Sequence, residues 1–341
     1  MSIRKIAIYS LVLLSILFGI IALLSYYAAF KSNLRKERPV YELFVYPNET
    51  EINLGMKLDS LLFDTTSFIQ LSRIMNLKKL RPGRYVFKPG TNNFAIINKL
   101  KRGVQDPVKV TINNVRDIFQ LSAKLGDVLL LDSIEFVNLL TDSTVLNEIN
   151  YTSESILSLF IPNTYEMYWT ISSDRFLQRM IQENASFWNK ENRKVKAIQK
   201  LLSTKDIYTI ASIVDKETIL ESEKPLISEV YINRLNSGMK LQADPTVVYA
   251  LGLRGIQRVL HEHLRIESPY NTYLVDGLPP GPIWMPEVST IDSVLNAQKH
   301  DYLFFCAKPG YDGSHAFAKT LEGHYQNAKL YRQWLNKEKI R

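Results

Sequence analysis

Residues Ile6–Phe30 form an unbroken run of 25 residues without a single charge. A helix needs only ~20 apolar residues to cross the hydrocarbon core of a bilayer. Tyr26 and Tyr27 lie near the end of the run, where interfacial aromatic residues are expected. A secretory signal would have an apolar stretch of ~7–15 residues and then a small-residue cleavage site. This run is longer, and Ala28-Ala29-Phe30 makes a poor site. The segment therefore reads as an uncleaved, single-pass anchor. Flanking charge does not set its direction, because Arg4 and Lys5 precede it while Lys31, Arg35, Lys36 and Arg38 follow it. The short leading flank and the long body favour export, since long domains translocate largely regardless of charge.

The anchor also explains the charge. The 341 residues carry a net +8, which on its own would allow a nucleic-acid partner. Five of those eight units fall within residues 1–38, beside the membrane, where they can meet anionic headgroups. The remaining body is only mildly basic and has no basic run interleaved with aromatics, so no nucleic-acid partner is expected. A hydrophobic content of 46% with 22% charged residues is ordinary for a globular body and argues against disorder or many spans. The one cysteine, Cys306, excludes an internal disulfide and any multi-cysteine zinc site. Its apolar strand pattern predicts a buried thiol.

Past the anchor the pattern is α+β. Strand candidates at residues 42–46, 84–87 and 108–112 alternate with helical spacing at Leu58/Leu61/Leu62, at Phe68/Leu71/Ile74 and from Phe94 to Leu100. Strand, two helices, strand, helix, strand in ~70 residues predicts a small module, either a spacer or a LysM-type polysaccharide binder. Residues 115–142 read as helical. Residues 160–165 read as a loop, and long helical patterns follow at 174–188, 194–202, 205–220 and 223–236. Five prolines and two glycines between Pro269 and Pro286 predict a long ordered loop. A strand at 302–307 that pairs with residues 315–317, and an amphipathic helix at 320–339, complete the chain. The expected domains are 1–38, 39–114 and 115–341.

The chemistry is narrowed by what is missing. There is no phosphate-binding loop, dinucleotide glycine fingerprint or nucleophile elbow. His261-Glu262-His263 lacks the i,i+4 spacing of a zinc helix, so neither a metal nor a cofactor is expected. The most informative segment is residues 211–218, ASIVDKET, within a predicted helix. Residues two apart on a helix point roughly 200° from each other, so Asp215 and Glu217 cannot act as a pair on one substrate. Glu217 shares its face with Ile210, Ile213, Val214 and Leu220, whereas Asp215 lies with Tyr208, Ser212, Thr218 and Ser222. A carboxyl among aliphatic groups has a raised pKa, which is what a general acid needs near neutral pH. Glu217 is thus the candidate acid, and Glu221, one turn on, its local rival. Asp244-Pro245-Thr246 reads as a helix start with Asp244 as cap. Gln242 has no such structural role and is a candidate substrate contact. Residues 268–273 and 277–283 mix stiff turns with Asn, Thr and Tyr, groups suited to sugar.

Taken together, these segments resemble the YceG-like family of endolytic murein transglycosylases. The resemblance covers nearly the whole chain and is carried by residues 160–165 (FIPNTY), 211–218, 231–235 (YINRL), 241–247 (LQADPTV), 270–273 (YNTY), 277–283 (GLPPGPI) and 315–317 (HAF). It implies a YceG-like catalytic domain of mixed α+β fold behind the LysM-like module. It also implies an inner (cytoplasmic) membrane location with the body on the periplasmic or extracytoplasmic side. The implied partners are peptidoglycan glycan strands, and peptidoglycan synthases beside them. The implied reaction cuts between N-acetylmuramic acid and N-acetylglucosamine without water, leaving a 1,6-anhydro end. Glu217 is its implied catalytic residue. The substrate contacts expected from these segments are Tyr165, Glu221, Asn233, Gln242, Asp244, Thr246, Asn271 and Tyr273. Two departures matter. The family's helix motif usually reads V-E-K-E where this chain has Val214-Asp215-Lys216-Glu217, and Asn163 stands where the family commonly has Asp. The first agrees with the face argument in selecting Glu217. A non-catalytic glycan-binding scaffold and a water-using glycoside hydrolase are the competing readings.

Overall fold

The computed structural model describes residues 3–77, 80–252 and 259–339. Met1 and Ser2 of the expected anchor segment, and Ile340 and Arg341 of the expected large domain, lie outside the described residues. Contacts divide the chain into two compact units. The first comprises Met1–Lys109 with Val128–Leu130 and Glu166–Ile171; the second comprises Val110–Asp127, Leu131–Tyr165 and Ser172–Arg341. The fold is α+β, with short sheets throughout.

The first unit begins with α1 (Ile3–Phe30), a continuous helix long and apolar enough to cross a membrane and with none of its most apolar stretch buried. It continues with β1 (Tyr41–Val45), α2 (Glu51–Asp59), α3 (Thr65–Ile74), β2 (Gly83–Phe87) and α4 (Asn93–Arg102). β1 and β2 pair antiparallel with Leu43 opposite Tyr85. Alternation puts Tyr41, Leu43 and Val45 on the same buried face as Tyr85 and Phe87. Leu54, Leu58, Phe68, Leu71, Ile96, Ile97 and Leu100 from the helices fill the core beneath them. The three helices after α1 each have a side-chain cap: Thr50 for α2, Asp64 for α3 and Asn92 for α4. Gly103 ends α4 at φ 68°, a left-handed conformation that glycine adopts without strain. β3 (Val108–Ile112), read from the sequence as the last strand of the small module, pairs with β4 (Asn163–Met167).

The second unit adds α5 (Ile118–Gly126), α6 (Ser133–Thr141), α7 (Ser143–Glu148), α8 (Ser173–Asn189), α9 (Arg193–Gln199), α10 (Thr204–Glu217), α11 (Lys224–Asn236), α12 (Asp244–Leu251) and α13 (Val288–Asn296), then β5 (Phe304–Ala307), β6 (His315–Ala318) and α14 (Leu321–Lys337). Its core is built on α10, with Ile207, Tyr208, Ile210, Ala211, Ile213 and Val214 all buried, packed against α11 and α13. β5 and β6 pair antiparallel with Phe305 opposite Phe317, as expected.

Several boundaries depart from the sequence reading. Residues 163–165 are strand, not loop, because Tyr165 and Met167 alternate inward on β4. The helical stretch at 115–142 breaks into α5 and α6, the second started by the Asp132 cap. α10 stops at Glu217, three residues early, where Thr218 turns to φ −144°, ψ 143° and its hydroxyl accepts the Leu220 N–H. Cys306 is half-buried because β5, among the described residues, has one partner strand and is covered mainly by α14.

Asn93, 1% exposed, is a buried polar group of the first unit. Its amide donates to Ala28 O and Ser67 Oγ, both at 3.0 Å, and accepts from Asn33 Nδ2 at 2.7 Å. Asn93→Ala should cost about 2–3 kcal/mol, since it leaves buried partners unsatisfied. Thermal unfolding of the detergent-solubilised chain measures it.

Candidate active site

α10 is set by its ends. Ser203 and Asp206 form a reciprocal capping box at the start. At the other end Thr218 breaks the helix, leaving Glu217 as its last residue. α11 is buried on almost every side and is opened by Pro225 in its first turn. It brings Tyr231 against the end of α10. The Tyr231 hydroxyl donates to Glu217 Oε1 at 2.6 Å.

Glu217 is half-buried, and its carboxyl pKa is pushed up to about 7. Loss of solvent is the largest cause. The Tyr231 hydrogen bond works against it, the Asp244 charge adds to it and the Arg234 charge subtracts. The unpaired carbonyls at the C-terminal end of α10 oppose a negative charge there in the same sense as burial. Tyr231 is itself held protonated, far above its ordinary range, by burial and by the neighbouring carboxylate. It is therefore a fixed donor.

Around this pair the fold gathers three more groups. Arg234, one turn beyond Tyr231, donates from Nε to Leu303 O and from Nη1 to Leu241 O at 2.7 and 2.6 Å. Those bonds hold the guanidinium near Glu217 and tie in the residues before β5 and α12. Tyr273 donates to Asp244 Oδ1 at 2.6 Å. Asn271-Thr272-Tyr273 is stapled in place: Thr272 O accepts the Gln242 N–H at 3.0 Å, and the Thr272 and Thr246 hydroxyls bond at 2.8 Å. Gln242 sits at φ 49°, in a left-handed conformation uncommon for a residue with a side chain, and its side chain is exposed.

Asp215 faces elsewhere. It accepts from the Thr290 hydroxyl at 2.6 Å and lies 3.4 Å from the buried Lys224 ammonium. Lys224 also pairs with Glu221 at 2.5 Å. Ser212 accepts the Ile283 N–H at 3.1 Å and so moors the proline-rich loop to α10.

These residues sit within a recognisable frame. The YceG-like family model matches residues 47–330. This chain belongs to the YceG-like family. A Bacillus subtilis (strain 168) relative named endolytic murein transglycosylase is 30% identical over 73% of this chain and 72% of its own length. A Streptococcus pneumoniae (D39) protein of the same name is 38% identical over 38% of this chain, a stretch that spans 24% of that protein. In shape, a crystal structure of a YceG-like protein from Listeria monocytogenes matches at TM-score 0.55 and 24% identity, over 84% of this chain and 98% of that one.

Within this YceG-like chain the expected site residues separate into two groups. Gln242, Asp244 and Tyr273 are exposed or half-buried; the Asp244 charge raises the Glu217 titration, and the Glu217 charge in turn raises that of Tyr273. The other group is occupied by the protein itself. Asn233 gives its amide hydrogens to His300 O and Tyr302 O. Asn271 gives its own to Leu264 O and Ile266 O. Thr246 is fully buried. Tyr165 is buried and donates to Ile161 O. Two readings need correction. Asp244 is the first residue of α12 and not its cap, a position Ala243 takes, because the Asp244 carboxylate is held by Tyr273. Glu221 does not share a helix face with Glu217, since α10 ends before it and Lys224 claims its carboxylate. Tyr231 and Arg234 were read only as part of the 231–235 segment, without a site role of their own; their spacing of three on α11, facing α10, was the available signal.

The geometry makes opposite predictions for two neighbours. Tyr231→Phe removes a bond to the ionised carboxyl and should move the Glu217 titration above pH 7. Asp244→Asn removes a nearby negative charge and should move it below. Infrared titration of the carboxyl stretch, with Glu217→Gln as the blank, reads both. Stability gives a second check. The folded pKa of about 7 exceeds the unfolded value of 4.5, so the folded form holds the proton more tightly. The stabilisation is complete below pH 4.5 and is lost as pH rises through 7. Glu217→Gln should therefore match the parent at pH 4 and exceed it by about 2–3 kcal/mol at pH 8 in thermal unfolding.

Proposed function

We propose that this chain is a membrane-anchored lytic transglycosylase that cuts peptidoglycan glycan strands internally, with Glu217 handling the proton in both halves of the reaction. The observation that carries this reading is a carboxyl with its pKa raised to about 7, buttressed by Tyr231, in a chain of this family. The names of the relatives supply the substrate class.

The steps follow from one group changing protonation state. Protonated Glu217 donates to the glycosidic oxygen as the C1–O bond of N-acetylmuramic acid breaks. The departing N-acetylglucosamine end leaves as an alcohol. The resulting Glu217 carboxylate removes the proton from the muramoyl C6 hydroxyl as that oxygen attacks C1. A 1,6-anhydro ring forms and Glu217 regains its proton, so no water is consumed. A pKa near 7 leaves both forms accessible at neutral pH. Tyr231 fixes the carboxyl's rotamer, and Arg234 stabilises the transient carboxylate. Gln242, Asp244 and Tyr273 are free to meet sugar, while Asn233, Asn271, Thr246 and Tyr165 hold the frame.

The anchor supports an inner (cytoplasmic) membrane location with the body on the extracytoplasmic side, where peptidoglycan lies. Cutting nascent strands beside synthases would end their elongation. The β1–α2–α3–β2 order of the first unit supports a LysM-like role in holding glycan. One observation favours a water-using hydrolase as runner-up: Asp244 is a second carboxylate close enough to act on the titration of Glu217. Such a hydrolase needs two carboxyl groups across the scissile bond, and Asp244 is instead bound by Tyr273.

Mass spectrometry of products from purified peptidoglycan decides between them. Anhydro ends, lighter by one water than reducing ends, are expected. Reducing ends would establish the hydrolase, and binding without cleavage would establish a scaffold. Glu217→Gln should lower the rate at least about 1,000-fold, while Asp215→Asn should stay within about tenfold of the parent. A dead Asp215→Asn with an active Glu217→Gln would reverse the assignment.

A further inference from the structure

α1 does not lead into a linker. Its last turn is part of the first unit's core. Ala28 O accepts from the buried Asn93 amide at 3.0 Å, and Ala29 is 7% exposed against that core. The Phe30 and Phe94 rings lie 5.3 Å apart. Length then constrains where the unit can be. A helix of 28 residues is about 42 Å long, against a hydrocarbon core of about 30 Å. If the span begins after Lys5, about 20 residues carry the chain to Ser25. Tyr26–Phe30 then fall in the headgroup layer. Ala28 and Ala29 lie in that layer and in the core of the unit, so the surface around them lies in the layer as well.

The side chains on that surface fit the layer. Phe63 and Phe94 are 61% and 40% exposed, and Phe30 is 46% exposed. Both outer rings are adjacent in sequence to residues of the network at the helix exit. Phe94 follows Asn93. Phe63 donates its N–H to Asn33 O at 2.8 Å, and Asn33 binds Asn93 Oδ1 at 2.7 Å. Cations are interleaved with the rings: Lys31 lies 4.8 Å from the Tyr27 centroid, and Arg35 lies 5.9 Å from that of Phe63. Lys36 and Arg38, which follow Arg35 in the chain, are exposed. The acids nearby are committed. Glu37 is 3.7 Å from Arg35, and Asp64 accepts the Ser67 N–H at the start of α3. Exposed rings scattered singly need no explanation, but rings and cations clustered at a membrane exit do.

We propose that the first unit is seated on the bilayer, with Phe30, Phe63 and Phe94 inserted among the headgroups and Lys31 and Lys36 paired to anionic lipid phosphates. This rests on reading α1 as a membrane span. The test uses the full chain in nanodiscs, with Cys306→Ala and single cysteines carrying an environment-sensitive fluorophore at Leu17, Phe63, Phe94 or Ile74. Ile74, 74% exposed, lies at the far end of α3 from Ser67 and serves as the aqueous reference. The labels replace exposed side chains, so folding is not at issue.

With acrylamide as the neutral quencher, labels at 63 and 94 should be at least about threefold less quenched than at 74 in phosphatidylcholine–phosphatidylglycerol discs. Protection should weaken in phosphatidylcholine alone, and Lys31→Gln with Lys36→Gln should abolish that lipid dependence. A shielded Leu17 with 63 and 94 as quenched as 74 would leave the anchor intact and overturn the seat. A quenched Leu17 would overturn the anchor itself. Shielding indifferent to lipid charge would overturn the phosphate pairing.

Discussion

The candidate site depends on a carboxyl group being kept where charge is unwelcome. Glu217 ends a helix whose preceding turns are buried, so water is scarce and the nearest unpaired backbone groups are carbonyls. Tyr231 is the counterweight. Its hydroxyl meets the carboxyl at 2.6 Å and keeps the ionised form within reach. Without burial the group would stay ionised at neutral pH; without the tyrosine its charged form would be harder still to reach. α10 and α11 are the two rigid elements that make this balance possible.

The remainder of the site is scaffolding for that pair. Arg234 joins α11 to the residues before β5 and α12 through two carbonyls. Thr272 and Thr246 lock the loop after residue 268 onto the start of α12. The loop in turn carries Tyr273 to Asp244. Most of the polar residues that look suited to gripping sugar are engaged inside the protein, and their role is to keep the few exposed ones in register.

Much of the fold could be read from the sequence, because apolar spacing reports local structure directly. The short strands around residues 43 and 85, the proline–glycine turns that flank the second and the β5–β6 hairpin were all legible. Glu217 was preferred over Asp215 from helical geometry alone, and the structure gives Asp215 its own partners in Thr290 and Lys224. What failed was long-range. The pairing of β3 with β4 joins segments some fifty residues apart, and no local pattern announces it. Asp244 looked like a helix cap because the residue types were right; only the arrival of Tyr273 from 29 residues away changes its role. Thr218 stopped α10 early, which removed Glu221 from consideration. Tyr231 and Arg234 read as helix residues until α11 was laid against α10.

The early stop of α10 has an evolutionary consequence. Each residue of a helix turns the chain by about 100°. Adding or deleting one residue between the Ser203 cap and Glu217 would swing the terminal carboxyl away from Tyr231. Side chains along α10 can be exchanged for others of similar bulk, but its length cannot drift. Descendants of this chain should thus show substitutions in this helix and place their insertions in the loops on either side.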